Sequence, residues 1–532
     1  MNLYMELQLL VPAAGAVAVA GLARWRGWPA PLLLVLVGLT ASYVMSTFFP
    51  GGPRYDLDPE VVLLVFLPPL LYSAALESSY LRLRDVSRSV GLLSVGLVLF
   101  SAAVVAVLVR LLVPEMPLAA AFALGAIVAP PDAVAAVAVA RRFGLPRKMM
   151  TILLGESLFN DATALTAYRV AVAAAAGEGF SLLIGAGRFL YAAGAGLVIG
   201  YVLARLSARM FLRVRDPLIT NTVSLMLPFA AYLAAEAVHA SGVLSVVVVG
   251  VYLGHRMNRV GYGTRLVSHS VWKVLDFFLE VVVFLLIGLQ LPLILQGLGG
   301  ENPWRLAWYA IAVFAALVLA RFVWTAATTY LPLLSGKSRE ARPKRVMAHV
   351  TVISWAGMRG VVSLAAAFAL PEGFPERDLL LFLTFTAVIG TLLVQGLTFP
   401  MVVRRLGVSG DQDVYRDNLA EAAAQQAAAT AALARLDELT ADGVPETHAE
   451  VVDRLRTLAE RRAMGAWERL GGGVGQDGEE TPSALYRRLR RAMLEAEREV
   501  LVRMRDERRI DDEVLRRVTR ELDYEEASLA RD

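Results

Sequence analysis

Gly155-Glu156-Ser157-Leu158-Phe159-Asn160-Asp161 lies in the middle of an otherwise apolar stretch, residues 148–176. That stretch is long enough to cross about 30 Å of hydrocarbon at about 1.5 Å per residue. A charged side chain at the bilayer centre costs roughly 2.5–3.5 kcal/mol on insertion. Glu156 and Asp161 therefore mark a place where the chain needs charge, either an ion site or a proton relay. Ser157 and Asp161 are four residues apart and project from one helix face. Glu156 is turned about 100° from Ser157 and faces elsewhere.

The surrounding chain reads as a membrane protein. Of its 532 residues 57% are hydrophobic, with mean hydropathy +0.55, against roughly 45–50% apolar for an average soluble protein. Thirteen apolar stretches are long enough to span: 5–23, 30–49, 59–77, 89–113, 117–140, 148–176, 180–212, 217–238, 240–255, 271–292, 304–334, 345–370 and 378–404. The ninth is short, which leaves twelve as the alternative count. The first has no basic residues before it and no clear cleavage site, so it reads as a retained helix. There are no cysteines, which excludes disulfides, thiol catalysis and Cys-ligated metal. Five His without an HExxH leave no zinc motif. The expected fold is an all-α polytopic membrane protein of about 13 transmembrane helices (1–405) with a helical cytoplasmic tail (406–532).

Charge supports this division. Residues 1–405 hold 32 Lys and Arg against 20 Asp and Glu; residues 406–532 hold 20 against 28. Between the stretches, basic residues alternate. One set of loops carries Arg24 and Arg26, Arg82 to Arg88, Arg141 to Lys148, Arg209 to Arg215, Arg256 to Lys273, and Lys337 to Arg345. The other set carries only Arg54, Arg110, Arg305 and Arg377. The positive-inside rule then puts the N-terminus outside and the tail in the cytoplasm.

Two stretches are interrupted near their centres. The fifth contains Ala129-Pro130-Pro131-Asp132, where tandem prolines remove two backbone donors. The twelfth contains Trp355-Ala356-Gly357-Met358-Arg359-Gly360, two glycines around a charge. If the seventh stretch is a linker, each is fifth in a six-helix half. Broken segments at matching positions of two halves point to a midplane site in an inverted-repeat transporter.

Five charged residues lie near mid-helix: Asp132, Glu156, Asp161, Arg169 and Arg359. Asp161 with Ser157, near carbonyls freed by the break at Pro131, makes an oxygen cage for a small desolvated cation. Asp132 either joins that cage or caps the half-helix after the break. A buried Glu needs a partner, and Arg359 is the expected one for Glu156, tying the broken twelfth helix to the sixth. A carboxylate that holds a proton or a cation, never both, needs only alternating access to become an exchanger. Asp276 and Glu280, an i,i+4 acidic pair, either line a funnel that gathers cations or sit at a solvated helix end beside Lys273.

Gly155–Asp161, followed by Ala-Thr-Ala-Leu, resembles the Asn-Asp helix of the monovalent cation/proton antiporters, the sodium/proton exchangers of the NhaP and eukaryotic type. Supporting segments are Leu67-Pro68-Pro69-Leu70-Leu71, Ser241-Gly-Val-Leu-Ser245, Leu286-Ile-Gly-Leu-Gln290 and Trp355–Ser363. The resemblance covers about 5–405 and extends weakly into Tyr486–Arg517. It implies an inverted-repeat fold and a homodimer in the cell membrane. The core (ion-transport) part is then about 89–176 and 304–404, and the dimerisation part about 5–77 and 180–292. It also implies Na⁺, Li⁺ or K⁺ exchanged for H⁺ at Asp161, with Ser157 as a neighbouring ligand and no cofactor or nucleic acid involved. Asn160 stands where electrogenic relatives have a second Asp, which implies one-for-one electroneutral exchange. Glu156 and Arg359 match the family's buried ion pair. Two departures stand out. Pro131-Asp132-Ala133 replaces the Thr-Asp-Pro of archaeal members. Ser73 replaces an acid on the third helix, with Glu77 one turn further on as a substitute.

Other classes fit less well. An intramembrane aspartyl protease would use Asp132 and Asp161 as a dyad sharing a proton, but Pro131 and Asn160 precede them instead of the Tyr and Gly of such motifs. A cation channel lines its pore with rings of like charge or carbonyls, whereas this chain has single acids and arginines. In the tail, 411–439 is rich in helix formers, 471–478 reads as a flexible linker, and Thr481-Pro482 opens a charged helix. Leu485, Leu489, Ala492, Ala496 and Val500 mark one face of that helix. It reads equally as a surface helix packing on its neighbours or as part of a regulatory or dimerising domain.

Overall fold

The computed structural model describes residues 3–26, 30–48, 62–132, 137, 144–176, 182–214, 216–334, 343–408, 410–441, 443, 445, 448–470 and 480–529. Each apolar stretch of the sequence contains a helix. These are α1 (Leu3–Arg26), α2 (Ala30–Phe48), α3 (a π-turn Val62–Phe66, then Leu67–Glu77), α4 (Ser87–Leu112), α5 (first half Leu118–Val128), α6 (Arg147–Ala175) and α7 (Leu182–Arg213). They continue as α8 (Pro217–Glu236), α9 (Gly242–Arg256), α10 (Tyr262–Leu289), α11 (Pro303–Leu334), α12 (two halves, Pro343–Trp355 and Val361–Phe368) and α13 (Arg377–Leu406). Among the described residues, six helices are long and apolar enough to cross a membrane: α4, α7, α8, α10 with its continuation to Gly297, α11 and α13. The second half of the fifth stretch, with Ala133, Arg141 and Arg142, lies outside the described residues apart from Val137. So do Arg54, Arg215, Lys337, Arg339 and Arg342 of the loops. α10 begins at Tyr262, nine residues before the expected start of its stretch. That sets Asp276 and Glu280 inside the helix and corrects the helix-end reading.

Small residues fix the packing. Gly38 of α2 and Gly288 of α10 face each other so closely that a Cβ on Gly288 would come within 2.7 Å of the Gly38 Cα. Gly250 of α9 meets the Ala75 methyl of α3 in the same way, at 2.5 Å. Gly196 and Gly200 of α7 press on Ser241 and Ser245, and Ser241 caps α9 by accepting from the Leu244 N–H at 3.3 Å. The Ser-Gly-Val-Leu-Ser segment is thus a close-packing surface with a cap at its head. Between α4 and α11, Trp324 Nε1 donates to the Leu92 carbonyl at 2.9 Å, where α4 is π-wound over Leu92–Leu97.

The pairing of helices has an order. α2 packs on α10 and α9 on α3; α1 on α10 and α8 on α3; α4 on α5 and α11 on α12; α5 on α6 and α12 on α13. Each pair becomes the other when helices 1–6 exchange with 8–13. α6 is shared by two apolar cores. Met149, Leu153, Ala164 and Ala167 join one with α4, α5 and α10–α13, while Leu158 and Ala162 join another with α3 and α7–α10.

The chain divides into two compact units, Met1–Ser409 and Gly410–Asp532. Gly407 closes α13 in the left-handed conformation (φ +61°) that favours glycine. The second unit holds α14 (Asp411–Thr440), α15 (Ala449–Leu470), α16 (Pro482–Asp506) and α17 (Asp512–Leu529). The glycine-rich 471–478 lies outside the described residues. Leu494 and Leu501 of α16 pack on Leu522 and Leu529 of α17. The stripe of Leu485, Leu489, Ala492, Ala496 and Val500 is exposed instead. Arginines decide this. Arg490 pairs with Glu525 at 2.6 Å and Arg498 with Asp523 at 2.5 Å, fixing which side of α16 faces α17.

Candidate functional site

Two unwound segments cross in the membrane unit. The first half of α5 stops at Val128 and the chain leaves it through Pro130, Pro131 and Asp132. α12 stops at Trp355 and resumes at Val361. The segments touch where the Asp132 N–H donates to the Met358 carbonyl at 2.7 Å. The Asp132 carboxylate lies against Gly360, where any Cβ would overlap it. Gly360 is the residue before the second half of α12, whose unpaired N–H groups make a positive end. In return, Arg359 Nη1 donates to the Ala129 carbonyl at the end of the α5 half-helix, a negative end. Each break supplies the charge that the other's helix end lacks. The second half of α5, which Asp132 would cap on one of its two readings, lies outside the described residues apart from Val137.

The next helix in the chain holds each break. Asn160 Nδ2 of α6 donates to the Pro131 carbonyl at 2.6 Å, and Thr391 Oγ1 of α13 accepts from the Arg359 N–H at 3.0 Å. α13 is π-wound over Thr391–Gln395 at that contact. Because Nδ2 is committed, the Asn160 amide has one orientation. Its Oδ1 is left as a buried acceptor without a partner.

Glu156 is paired, though not with the expected residue. Its carboxylate takes both ends of the Arg321 guanidinium, at 2.5 and 2.8 Å, with at most 2% of either side chain exposed. Arg359 is committed to Ala129, so the expected Glu156–Arg359 ion pair is replaced by Glu156–Arg321. Arg321 Nε also donates to the Ile353 carbonyl near the end of the first half of α12, at 3.1 Å. Gly357 makes room for this, since a Cβ there would stand 2.6 Å from Arg321 Cδ. The signal was present in the sequence as one arginine in the middle of the apolar stretch 304–334. Arg169, read as a mid-helix charge, lies exposed near the end of α6 and pairs with Glu236 at 2.8 Å.

Asp161 sits at the middle of α6 with 8% of its surface exposed. Among the described residues it has neither an ion pair nor a side-chain hydrogen bond. Asp132 acts on it electrostatically. Ser157 is half-buried one turn away. Glu156 is balanced by Arg321, the Asp132 carboxylate lies against Gly360 and Arg359 against the Ala129 carbonyl, and among the described residues Asp161 is a buried carboxylate of the crossing without an ion pair.

A second pair of acids lies between α3 and α10. Ser73 Oγ donates to the Asp276 carboxylate, and Asp276 Oδ1 is buried without a partner. Glu77 is exposed and acts on Asp276 electrostatically, while Glu280 is half-buried. The structure therefore brings an α10 acid, Asp276, to Ser73.

Helices broken at a crossing, beside a buried acid, are the build of a secondary transporter. The solved sodium proton antiporter MjNhaP1 of Methanocaldococcus jannaschii at pH 8 shares the fold, with TM-score 0.57 and 19% identity over 76% of this chain and 99% of its own. Residues 13–405 match the transmembrane sodium/hydrogen exchanger family, and the chain belongs to that family. It is 34% identical to an uncharacterized Na⁺/H⁺ exchanger of Mycobacterium tuberculosis H37Rv over 99% of this chain and 97% of the relative. It is 31% identical to the low-affinity Na⁺/H⁺ antiporter NhaS1 of Synechocystis over 87% and 86%. A Bacillus subtilis relative named as a sodium, potassium, lithium and rubidium/H⁺ antiporter is 31% identical over 70% of this chain and 58% of its own length. The protein is thus a multi-pass membrane transporter of the monovalent cation/proton antiporter class, not an enzyme, as the motifs led us to expect.

Proposed function

We propose that the protein exchanges Na⁺, with Li⁺ and K⁺ as further candidate cargo, for H⁺, one for one, with both ions competing for Asp161. One observation carries this reading: Asp161 is a buried acid of the crossing that has no ion pair among the described residues. Protonated Asp161 and Na⁺-loaded Asp161 leave the crossing with the same net charge, which is the condition for an electroneutral cycle. Asn160 and Ser157 offer neutral oxygens beside it. The exchange of helix partners between α1–α6 and α8–α13 supports an inverted repeat with α7 as connector. On that reading all thirteen helices span, with α4–α6 and α11–α13 as the moving core. Loop charges put the N-terminus outside and the tail in the cytoplasm. A homodimer through the α1–α3 and α7–α10 part follows from the family resemblance.

The test is proton flux in sealed liposomes carrying the purified protein, read by an internal pH dye as Na⁺, Li⁺ or K⁺ is added. Cation-driven proton movement that ignores a valinomycin voltage clamp is the expected result. Movement that follows the clamped voltage removes the one-for-one stoichiometry. No movement with any of the three ions removes the exchange reading.

A further inference from the structure

α16 is apolar on two sides. Leu494 and Leu501 face α17. At about 100° per residue, Leu485, Leu489, Ala492, Met493, Ala496 and Val500 fall on the opposite side. All six are exposed, the four larger ones by 39 to 55%. A contiguous apolar face rimmed by polar residues marks an interaction site. Arg488, Glu495 and Glu499, all exposed, run along one edge of this face. Arg490 and Glu497 run along the other and pair at 2.8 Å. The face has an internal symmetry about the point midway between Ala492 and Met493. Leu485 mirrors Val500, Leu489 mirrors Ala496, and Ala492 mirrors Met493. On the rim the charge changes sign across that point, with Arg488 and Arg490 before it and Glu495, Glu497 and Glu499 after it.

We propose that this face of α16 pairs with the same face of a second copy of the chain, antiparallel, about a twofold axis between Ala492 and Met493. A twofold contact needs a self-complementary surface, in which residue i meets j and j meets i. The axis sets Leu485 against Val500 of the second copy, Leu489 against Ala496 and Met493 against Ala492, so in two of the three layers a large side chain meets a methyl group. It also lays the Arg488 edge beside the same edge of the second copy. Arg488 then falls between Glu495 and Glu499 of the second copy, about 3 Å from each along the helix axis. Edge charges of this kind set partner and orientation in helix pairs. A parallel pair would bring opposite edges together, Arg488 on Arg490 and Glu495 and Glu499 on Glu497, like facing like. Arg488 already holds Glu480 at 2.9 Å, with 62% of its side chain exposed. A guanidinium has five N–H donors, so it can reach a second carboxylate. An anionic membrane surface is the less suitable partner, because it repels Glu495 and Glu499. The pairing joins two tails and rests neither on the exchange reading nor on a dimer through the membrane unit.

The chain has no cysteine, so one introduced cysteine reports its own site. The whole chain, in detergent and in liposomes, is treated with a short bismaleimide, and the covalent dimer is measured. Ala492→Cys, beside the axis, is expected to give that dimer. Leu485→Cys, whose two copies stand about 22 Å apart along an antiparallel pair, is expected to give several-fold less. Added to Ala492→Cys, Arg488→Glu is expected to lower the yield several-fold, and Glu495→Arg with Glu499→Arg in the same chain to restore it. A role of Arg488 confined to Glu480 gives no restoration, and that result overturns the charge register. As much dimer from Leu485→Cys as from Ala492→Cys overturns the antiparallel pairing, since parallel helices or random collision produce it. No dimer from Ala492→Cys overturns the self-contact. A bulky maleimide then shows what takes its place: reaction means that the face is open to water, and protection means that a lipid or another part of the chain covers it.

Discussion

Glu156 and Arg321 are 165 residues apart in the chain and form a two-pronged ion pair, 2.5 and 2.8 Å, inside the membrane unit. The pair joins α6 to α11 and, through Ile353, to the end of the first half of α12. Removing one partner leaves an uncompensated buried charge, at about 3–5 kcal/mol. Arg321→Ala is therefore expected to lower the melting temperature sharply in detergent. Arg359→Ala, which leaves that pair whole, is expected to lower it less. Equal losses would count against Arg321 as the partner of Glu156.

Asp161→Asn keeps the shape of the side chain and removes the group that can hold either ion. It is expected to abolish cation-driven proton flux in liposomes while the protein elutes and melts as the unaltered chain does. Substantial remaining exchange would sink the assignment of Asp161.

Gly360 is where the Asp132 carboxylate touches α12, and a methyl group has no room there. Gly360→Ala forces the two breaks apart, with an expected cost of about 1–3 kcal/mol for overpacking and a large fall in exchange rate. A variant with unaltered melting and transport would show that the crossing yields easily at this point.

The tail has its own pH dependence. The Arg490 guanidinium, hydrogen-bonded to Glu525, holds that carboxyl below its ordinary value of 4.5. A carboxylate with a lowered folded pKa contributes stability above its ordinary value and loses it as pH falls through the folded one. The Glu525 side chain is 40% exposed, so solvent screening keeps the effect modest. Amide hydrogen exchange in α16 and α17 of the whole chain, corrected for the intrinsic rate, is expected to lose protection as pH drops below about 4.5. Protection that stays flat from neutral pH to acid would mean that the ion pairs do not hold the hairpin.

Much of the membrane unit was legible because hydrocarbon imposes a strong filter. Apolar runs of spanning length, tandem prolines and glycines around a lone charge each have few readings inside a bilayer. The breaks at Pro130-Pro131 and Gly357–Gly360 are where the sequence placed them. Pairings were less legible. Arg321 and Arg359 are both single arginines in apolar runs, and only the folded chain determines which of them reaches Glu156. The space at Gly357 admits one and the free carbonyl at Ala129 takes the other. Likewise Glu77 read as the local substitute for the acid missing at Ser73, while the acid that meets Ser73, Asp276, comes from 203 residues away. In the tail the apolar stripe of α16 gave a plausible packing face, and the Arg490 and Arg498 ion pairs selected the other side.

The sequence alone determined that this is an all-helical membrane transporter with a charged helix at its centre, two interrupted helices and an acidic tail. These follow from local composition, because the cost of burying charge or freeing a peptide group is set residue by residue. Tertiary structure decided which charges cancel. Glu156 is neutralised by Arg321. Asp132 and Arg359 are taken up by opposite helix ends, and Asp161 remains without an ion pair among the described residues. That outcome depends on distances of a few ångströms between helices remote in the chain, which no local pattern encodes.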